Sequence, residues 1–363
     1  MKIALLGTRG IPASNGGFET FAEELSVRLV ERGHAVTVYC RAKSTNKKYR
    51  GVSLRYLPAI RHKYFETVAH TALSTMDVLV RRFDAVLYCN AANAAFTCWP
   101  RLAGTPTALN VDGLERQRKK WNHLGKAWYR LSEWLATWCC SEVVTDAEAI
   151  RDYYLRRYGK RSTFIPYGAP VGKLASAEHV FAWGLTPMQY VLYVSRMEPE
   201  NNALLVREAF ERVETGFRMA LVGDAPYAQD YIREVRNTRD PRIVIPGALY
   251  GDAYRQLQSH CAVYVQATEV GGTHPALIEA MGRGALVLYL NTPESAEVAG
   301  DAAVSFGNDI DDLTQKLQWA VNLAESERAS WGRKAMKRVE NNYSWNVVTD
   351  AYEALFQRLA KRV

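Results

Sequence analysis

Ala262-Val263-Tyr264-Val265 is followed, after three residues, by Glu269-Val270-Gly271-Gly272-Thr273-His274-Pro275-Ala276-Leu277-Ile278-Glu279-Ala280-Met281-Gly282. The four apolar residues read as a buried parallel strand. Pro275 falls in the first turn of a helix, where a missing N–H costs nothing. The glycine turn between them exposes backbone N–H groups at the positive end of a helix dipole, which suits a phosphate. Glu279 lies one turn past Pro275, where its carboxylate can accept two hydrogen bonds from sugar hydroxyls. A phosphate and a sugar together point to a nucleotide.

Outward from this segment the same alternation recurs. Tyr190-Val191-Leu192-Tyr193-Val194 is an expected strand and residues 203–213 an expected helix. Residues 217–222, 243–245 and 285–290 are further strands. In the first half, residues 2–6 form a strand, 7–17 a glycine loop, 18–32 a helix and 34–40 the next strand. Phe18, Phe21, Ala22, Leu25 and Leu29 share one helix face at spacings near 3.6. Ala85–Cys89 and Thr107–Val111 continue the pattern. Strands alternating with helices imply an α/β fold with doubly wound parallel sheets. The pattern restarts near residue 188, and residues 171–187 carry Gly, Pro, Ala and Ser without strong periodicity, as a linker would. The expected units are residues 1–170, joined by a C-terminal helix at 345–363, and residues 188–344.

A chain of 363 residues favours two domains. Its 48% hydrophobic and 23% charged content fits globular domains. No run approaches the ~18 apolar residues of a membrane span. Met1–Gly7 passes straight into the glycine loop, so it reads as a first strand and not as a signal peptide. Cys40, Cys89, Cys98, Cys139, Cys140 and Cys261 form no Cys-x-x-Cys pair and fit reduced thiols in a cytoplasmic protein. A formal net charge of +8 favours an anionic partner. The histidines show no metal spacing, and no Asp-x-Asp stands in a metal-coordinating loop.

Four strings carry the chemistry. Gly7-Thr8-Arg9-Gly10-Ile11-Pro12-Ala13-Ser14-Asn15-Gly16-Gly17-Phe18-Glu19-Thr20 opens the chain. Gly16-Gly17 before a helix lets a backbone approach a ligand closely; the alternative is a structural turn. Asn110-Val111-Asp112-Gly113-Leu114-Glu115 follows a strand, and Asp112 either faces a ligand or caps a turn. Ser195-Arg196-Met197-Glu198-Pro199-Glu200-Asn201-Asn202 follows the first strand of the second half. The fourth string is the glutamate helix.

These strings resemble family-4 glycosyltransferases, and the first three resemble a bacterial rhamnosyltransferase-like branch of surface-polysaccharide synthesis. The resemblance spans residues 1 to about 360 and implies a GT-B fold, with two Rossmann-like domains facing a cleft and a last helix packed back on the first. It implies that Glu279 binds the donor ribose and that Arg196 neutralises the leaving diphosphate. The family's second cation falls on Asn201, and its second acid falls on Gly271. Glu269, two residues away, is a possible substitute; Gly272 and Thr273 are expected phosphate contacts. Gly16 and Gly17 are expected at the donor, Asp112 at the acceptor, and Arg9 and Glu115 as supporting residues.

The implied reaction moves a sugar with retention from a nucleoside-diphosphate sugar, dTDP-L-rhamnose favoured, to a lipid-linked saccharide, without metal or cofactor. Two other classes share such a fold. One is a sugar-nucleotide epimerase, which needs no lipid acceptor; the other is a non-catalytic nucleotide-binding scaffold. Arg116-Gln117-Arg118-Lys119-Lys120-Trp121 leads into Trp128, Trp134 and Trp138. Basic residues mixed with tryptophan are the pattern of an interfacial helix, so residues Arg116 to Trp138 are expected to hold the enzyme on the inner face of the plasma membrane. The bland alternative is a core helix with a solvated basic start. No nucleic-acid motif accompanies the charge.

Overall fold

A computed structural model describes residues 1–13, 16–43, 46–60, 66–117 and 121–361. The chain divides into two units. Met1–Tyr167 with Trp345–Val363 forms one, and Gly168–Ser344 the other. Each unit is built on one sheet.

In the first unit the strands are β1 (Lys2–Leu6), β2 (Ala35–Cys40), β3 (Lys48–Tyr49), β4 (Val52–Tyr56), β5 (Ala85–Cys89), β6 (Thr107–Asn110), β7 (Glu142–Thr145) and β8 (Thr163–Phe164). They lie in the order β3-β4-β2-β1-β5-β6-β7-β8. Only β3 with β4 is antiparallel. In the second unit β9 (Tyr190–Val194), β10 (Arg218–Val222), β11 (Ile243–Gly247), β12 (Val263–Gln266), β13 (Leu286–Leu290) and β14 (Val304–Phe306) lie in the order β11-β10-β9-β12-β13-β14, all parallel. That is the doubly wound order 3-2-1-4-5-6. The first unit repeats it in β4-β2-β1-β5-β6-β7.

Helices cover both faces, so strands such as β5 and β13 are apolar and buried throughout. In the second core, Val191, Val263 and Leu288 pack with Phe210 and Leu317. In the first, Leu6, Val86 and Leu109 pack with Tyr129 and Ile150.

Helix Trp345–Ala360 belongs to the first unit, as the fold reading expects. Its buried face includes Tyr352, Leu355, Phe356 and Leu359. Tyr352 meets Phe21 with ring centroids 5.3 Å apart, and Asn110 donates to the Tyr352 hydroxyl at 2.9 Å. Residues 171–187 contain a short helix, Glu178–Ala182, and bury Val180 and Leu185 in the second unit. In both sheets the order reverses beside the first strand, and ligands bind at such points, beyond the strands' carboxyl ends. The loops of interest are therefore those after β1, β5 and β6, and those after β9 and β12.

Candidate functional site

Each unit carries candidate residues of its own. In the second unit, β9 runs into a single turn at Pro199–Asn201. Arg196 leaves this loop with its side chain 45% exposed, and its guanidinium lies 3.6 Å from Glu198 Oε2. Glu198 is buried and accepts a second bond from the Tyr227 hydroxyl at 2.6 Å. One face of Arg196 is thus fixed by a carboxylate while the rest remains accessible to an anion.

Asn201 is buried, and its amide donates to the Arg196 carbonyl at 2.5 Å. Tyr193 donates to the Asn201 carbonyl. Asn201, expected at the donor, therefore fixes the backbone that carries Arg196.

The loops after β9 and β12 are tied to each other. The Glu269 N–H donates to the Glu200 carbonyl at 2.9 Å. Asn202 donates to the Ala267 carbonyl at 2.9 Å and to Glu269 Oε1 at 3.0 Å. Asn308 donates to the same oxygen at 3.1 Å. Glu269 braces three loops through these contacts. An acid at 271 would require the His274 ring to move, because a Cβ on Gly271 would lie 2.6 Å from His274 Cε1.

Buried Gly272, Thr273 and His274 lead into helix Pro275–Gly282, whose first turn contains no acidic residue. Its N-terminal N–H groups and dipole suit an anion. One turn in, Glu279 accepts a bond from the Tyr254 hydroxyl at 2.5 Å. Gln258 donates to Tyr254 at 2.8 Å and to the Ala276 carbonyl at 3.3 Å. Burial of its carboxyl group pushes Glu279 up to about 7, against the opposing pull of Tyr254, Arg283 and Gln258. The pair with Tyr254 was not legible, since 25 residues separate the two.

In the first unit, β1 turns through Gly7 at φ +93°, where a Cβ would lie 2.3 Å from the Cys89 carbonyl oxygen. The loop's N–H groups are bound by carboxylates of the helix that follows, Gly17–Glu31. Arg9 N–H donates to Glu19 at 2.9 Å, and Ala13 N–H to Glu23 at 2.6 Å. Arg9 itself is exposed. Gly16 and Gly17 stand exposed at the helix start beside Glu19. Ser14 and Asn15, part of the loop string, lie outside the described residues.

Asp112 follows β6 in the left-handed region, φ +58°, with its N–H bonded to Asn110 Oδ1 at 3.0 Å. A non-glycine residue held there is uncommon and marks functional or turn positions. Burial raises the Cys89 thiol, and the carboxylates of Glu19 and Asp112 add to the rise. Those two carboxylates therefore gather near the end of β5. Glu19 is the residue sequence reasoning passed over, although it stands in the quoted string.

Glu115 is buried and accepts a bond from the Trp121 indole at 3.1 Å. Arg116 departs from expectation. Its guanidinium lies 3.0 Å from Glu133, a carboxylate whose side chain is 4% exposed, and donates to Tyr153 at 2.9 Å. It is a partner inside the fold and not a solvated surface cation. Arg118, Lys119 and Lys120 lie outside the described residues. Trp121 also departs: it stands before helix His123–Cys139 and packs on Tyr129 at 5.2 Å.

Among the described residues no group of three or more His, Cys, Asp and Glu could hold a metal ion. No helix there is long and apolar enough to cross a membrane.

Residues 15–172 match the model of Glycosyltransferase Family 4, and residues 188–322 that of Glycosyl transferases group 1. No curated protein matches the chain. Among solved structures, HepE from Anabaena, in complex with UDP and glucose, is similar with TM-score 0.81 at 15% identity, covering 99% of this chain and 100% of its own. Sucrose-phosphate synthase from Thermosynechococcus elongatus matches with TM-score 0.81 at 17% identity and full coverage of both chains. An alpha,alpha-trehalose-phosphate synthase from Burkholderia xenovorans, in complex with glucose-6-phosphate, has TM-score 0.75 at 12% identity, covering 98% of this chain and 100% of its own. These likenesses support the GT-B fold. With a glycosyltransferase model matched to each unit, the chain is a family-4-like glycosyltransferase.

Proposed function

We propose that this glycosyltransferase moves L-rhamnose, with retention, from dTDP-L-rhamnose to a lipid-linked saccharide in surface-polysaccharide synthesis, working at the inner face of the plasma membrane. The observation that carries the donor side is the helix Pro275–Gly282. It begins without an acid, follows Gly272 and Thr273, and holds Glu279 one turn in. The HepE structure was solved with UDP and glucose, which supports a nucleotide-linked donor here. The choice of rhamnose and of a lipid-linked acceptor rests on the strings Gly7–Thr20 and Asn110–Glu115.

In this reading, the N–H groups at 272–274 and the Arg196 guanidinium stabilise the charge that grows on the leaving diphosphate. Preorganised donors of this kind supply the largest share of many rate enhancements. Glu198 and Asn201 hold Arg196 in place. Glu279, ionised, accepts the ribose hydroxyls, and Tyr254 orients its carboxylate. Asp112 faces the acceptor hydroxyl. Thr273 and Gly272 contact phosphate, Glu269 keeps the donor loops together, and Arg9, Gly16 and Gly17 belong to the loop of the first unit.

Thermal-shift screening of nucleoside-diphosphate sugars tests the donor. dTDP-L-rhamnose should raise the melting temperature most, and nuclear magnetic resonance of the product should show the donor's anomeric configuration. A shift with another nucleotide sugar alone would overturn rhamnose. An inverted product would overturn retention.

A further inference from the structure

Helix His123–Cys139 is divided by exposure. Gly125, Tyr129, Ser132, Glu133 and Ala136 are buried. On the other side Leu124 is 80% exposed, Leu131 46%, Trp134 51% and Trp138 69%, with Trp128 at 36%. Leu124, Trp128, Leu131 and Trp138 follow one another at steps of four, three and seven, a single stripe on a helix of period 3.6, and Trp134 borders it. Exposed Arg130 lies one turn before Trp134 at one edge of that stripe, and exposed Lys126, two residues from both Leu124 and Trp128, lies on the far side.

The short helix Cys98–Leu102 extends the surface. Its Trp99 is 60% exposed and its Leu102 86%. Arg101 donates to the Trp138 carbonyl at 2.5 Å, which ties this helix to the end of the stripe. Single exposed apolar residues are ordinary. A run of large ones that includes four tryptophans, with a cation at one edge, marks an interaction surface.

We infer that this two-helix surface docks the protein on an anionic lipid bilayer. Tryptophan has an apolar body and one N–H, so it settles at the depth where headgroups meet acyl chains. A helix with a wide apolar stripe and flanking Lys and Arg lies in that plane. Arg130 then meets lipid phosphates, and the formal net charge of +8 acts in the same direction.

A second copy of the chain fits less well. The helix has one acid, Glu133, and it is buried against Arg116. Two copies face to face would bring their two Arg130 side chains to one rim with no acid of either helix to answer them. Arg116 and Trp121 take no part in the surface. The inference rests on the reading of a lipid-linked acceptor only for its purpose, and its test needs neither donor nor acceptor.

The test is vesicle sedimentation of the whole protein with phosphatidylcholine alone and with phosphatidylcholine plus phosphatidylglycerol, at low and high salt. The protein should pellet with the anionic vesicles and be released by salt, because exposed charges are screened within ~8 Å at physiological ionic strength. Trp128→Ser with Trp138→Ser should lower partitioning by about ten-fold or more, as loss of buried apolar area predicts. Arg130→Gln should weaken the preference for anionic lipid, and Lys126→Gln, on the far side of the helix, should leave it unchanged. All these side chains are exposed, so circular dichroism and nucleotide calorimetry should match the parent. No pelleting of the parent at low salt overturns docking, as does equal pelleting of parent and tryptophan variant. So does self-association by sedimentation velocity that the tryptophan variant abolishes without vesicle binding. Pelleting without nucleotide binding would break the donor reading alone, and nucleotide binding without pelleting would break docking alone.

Discussion

The two sheets share one strand order, yet their first loops are closed in opposite ways. After β1, the loop folds onto its own helix, and Glu19 and Glu23 take up its N–H groups. After β9, the loop is sewn to the loop after β12 by Asn202 and Glu269, and helix Pro275–Gly282 starts without an acid. A carboxylate at a helix start occupies the attraction that an incoming anion would use. Identical topology therefore ends in one acid-loaded helix start and one without an acid. The fold supplies the crevice, and a few side chains in a first turn decide what it holds.

The contrast is sharpest if acceptor chemistry and donor binding are separated by mutation. Asp112→Asn in the first unit should reduce transfer by about 10³-fold, within the range of a lost proton-transfer group. Calorimetry should find its nucleotide affinity unaltered. Lost affinity with normal transfer would reverse the assignment.

Arg196→Ala in the second unit should lower turnover on the order of 10²-fold, as loss of one preorganised donor to developing charge does. Steady-state kinetics would read the change in kcat. A variant as fast as the parent would move the diphosphate elsewhere.

Glu279 gives a pH signature. Its carboxyl is raised to about 7, so nucleotide affinity should climb as pH rises through that value and become flat in Glu279→Gln. Without ligand the sign is opposite. A carboxyl with a raised folded pKa stabilises the fold below the ordinary carboxylate value and loses that contribution as pH rises through 7. Thermal melts of Glu279→Gln should lack this decline, a difference on the order of 3 kcal/mol between acid and alkaline pH. Parallel melting curves would remove the buried-carboxylate account.

The smallest expected effect is the control in the first unit. Glu19→Gln should leave nucleotide affinity unaltered in calorimetry. A marked gain would show that the first helix start also meets phosphate, and the contrast would fail.

Much of the fold is written in local patterns. β1, β5 and β9 coincide with continuous apolar runs, because strands buried on both faces need nothing else. β3, β4 and β7 are short or mixed and pass unread. The glycine loops show themselves by spacing, but their partners do not. Tyr227 meets Glu198 across 29 residues, and Arg116 meets Glu133 across 17; no local pattern announces either pair. The start of the tryptophan helix also passed unread: Asn122 caps it by accepting the Gly125 N–H at 2.9 Å. The helix thus starts after Trp121, whose ring packs on Tyr129. The vacant acid position at Gly271 was visible as a missing residue, but the His274 ring beside it was not.

Helix Trp345–Ala360 carries a further consequence, for synthesis. Its Tyr352 and Phe356 complete the core of a unit whose strands were made first. During translation the first unit waits for residues 345–360, while residues 168–344 can already fold. The usual order, amino-terminal domain first, is inverted at the final step. A ribosome-stalled chain ending at residue 344 should leave its second unit resistant to protease and its first unit open to cleavage.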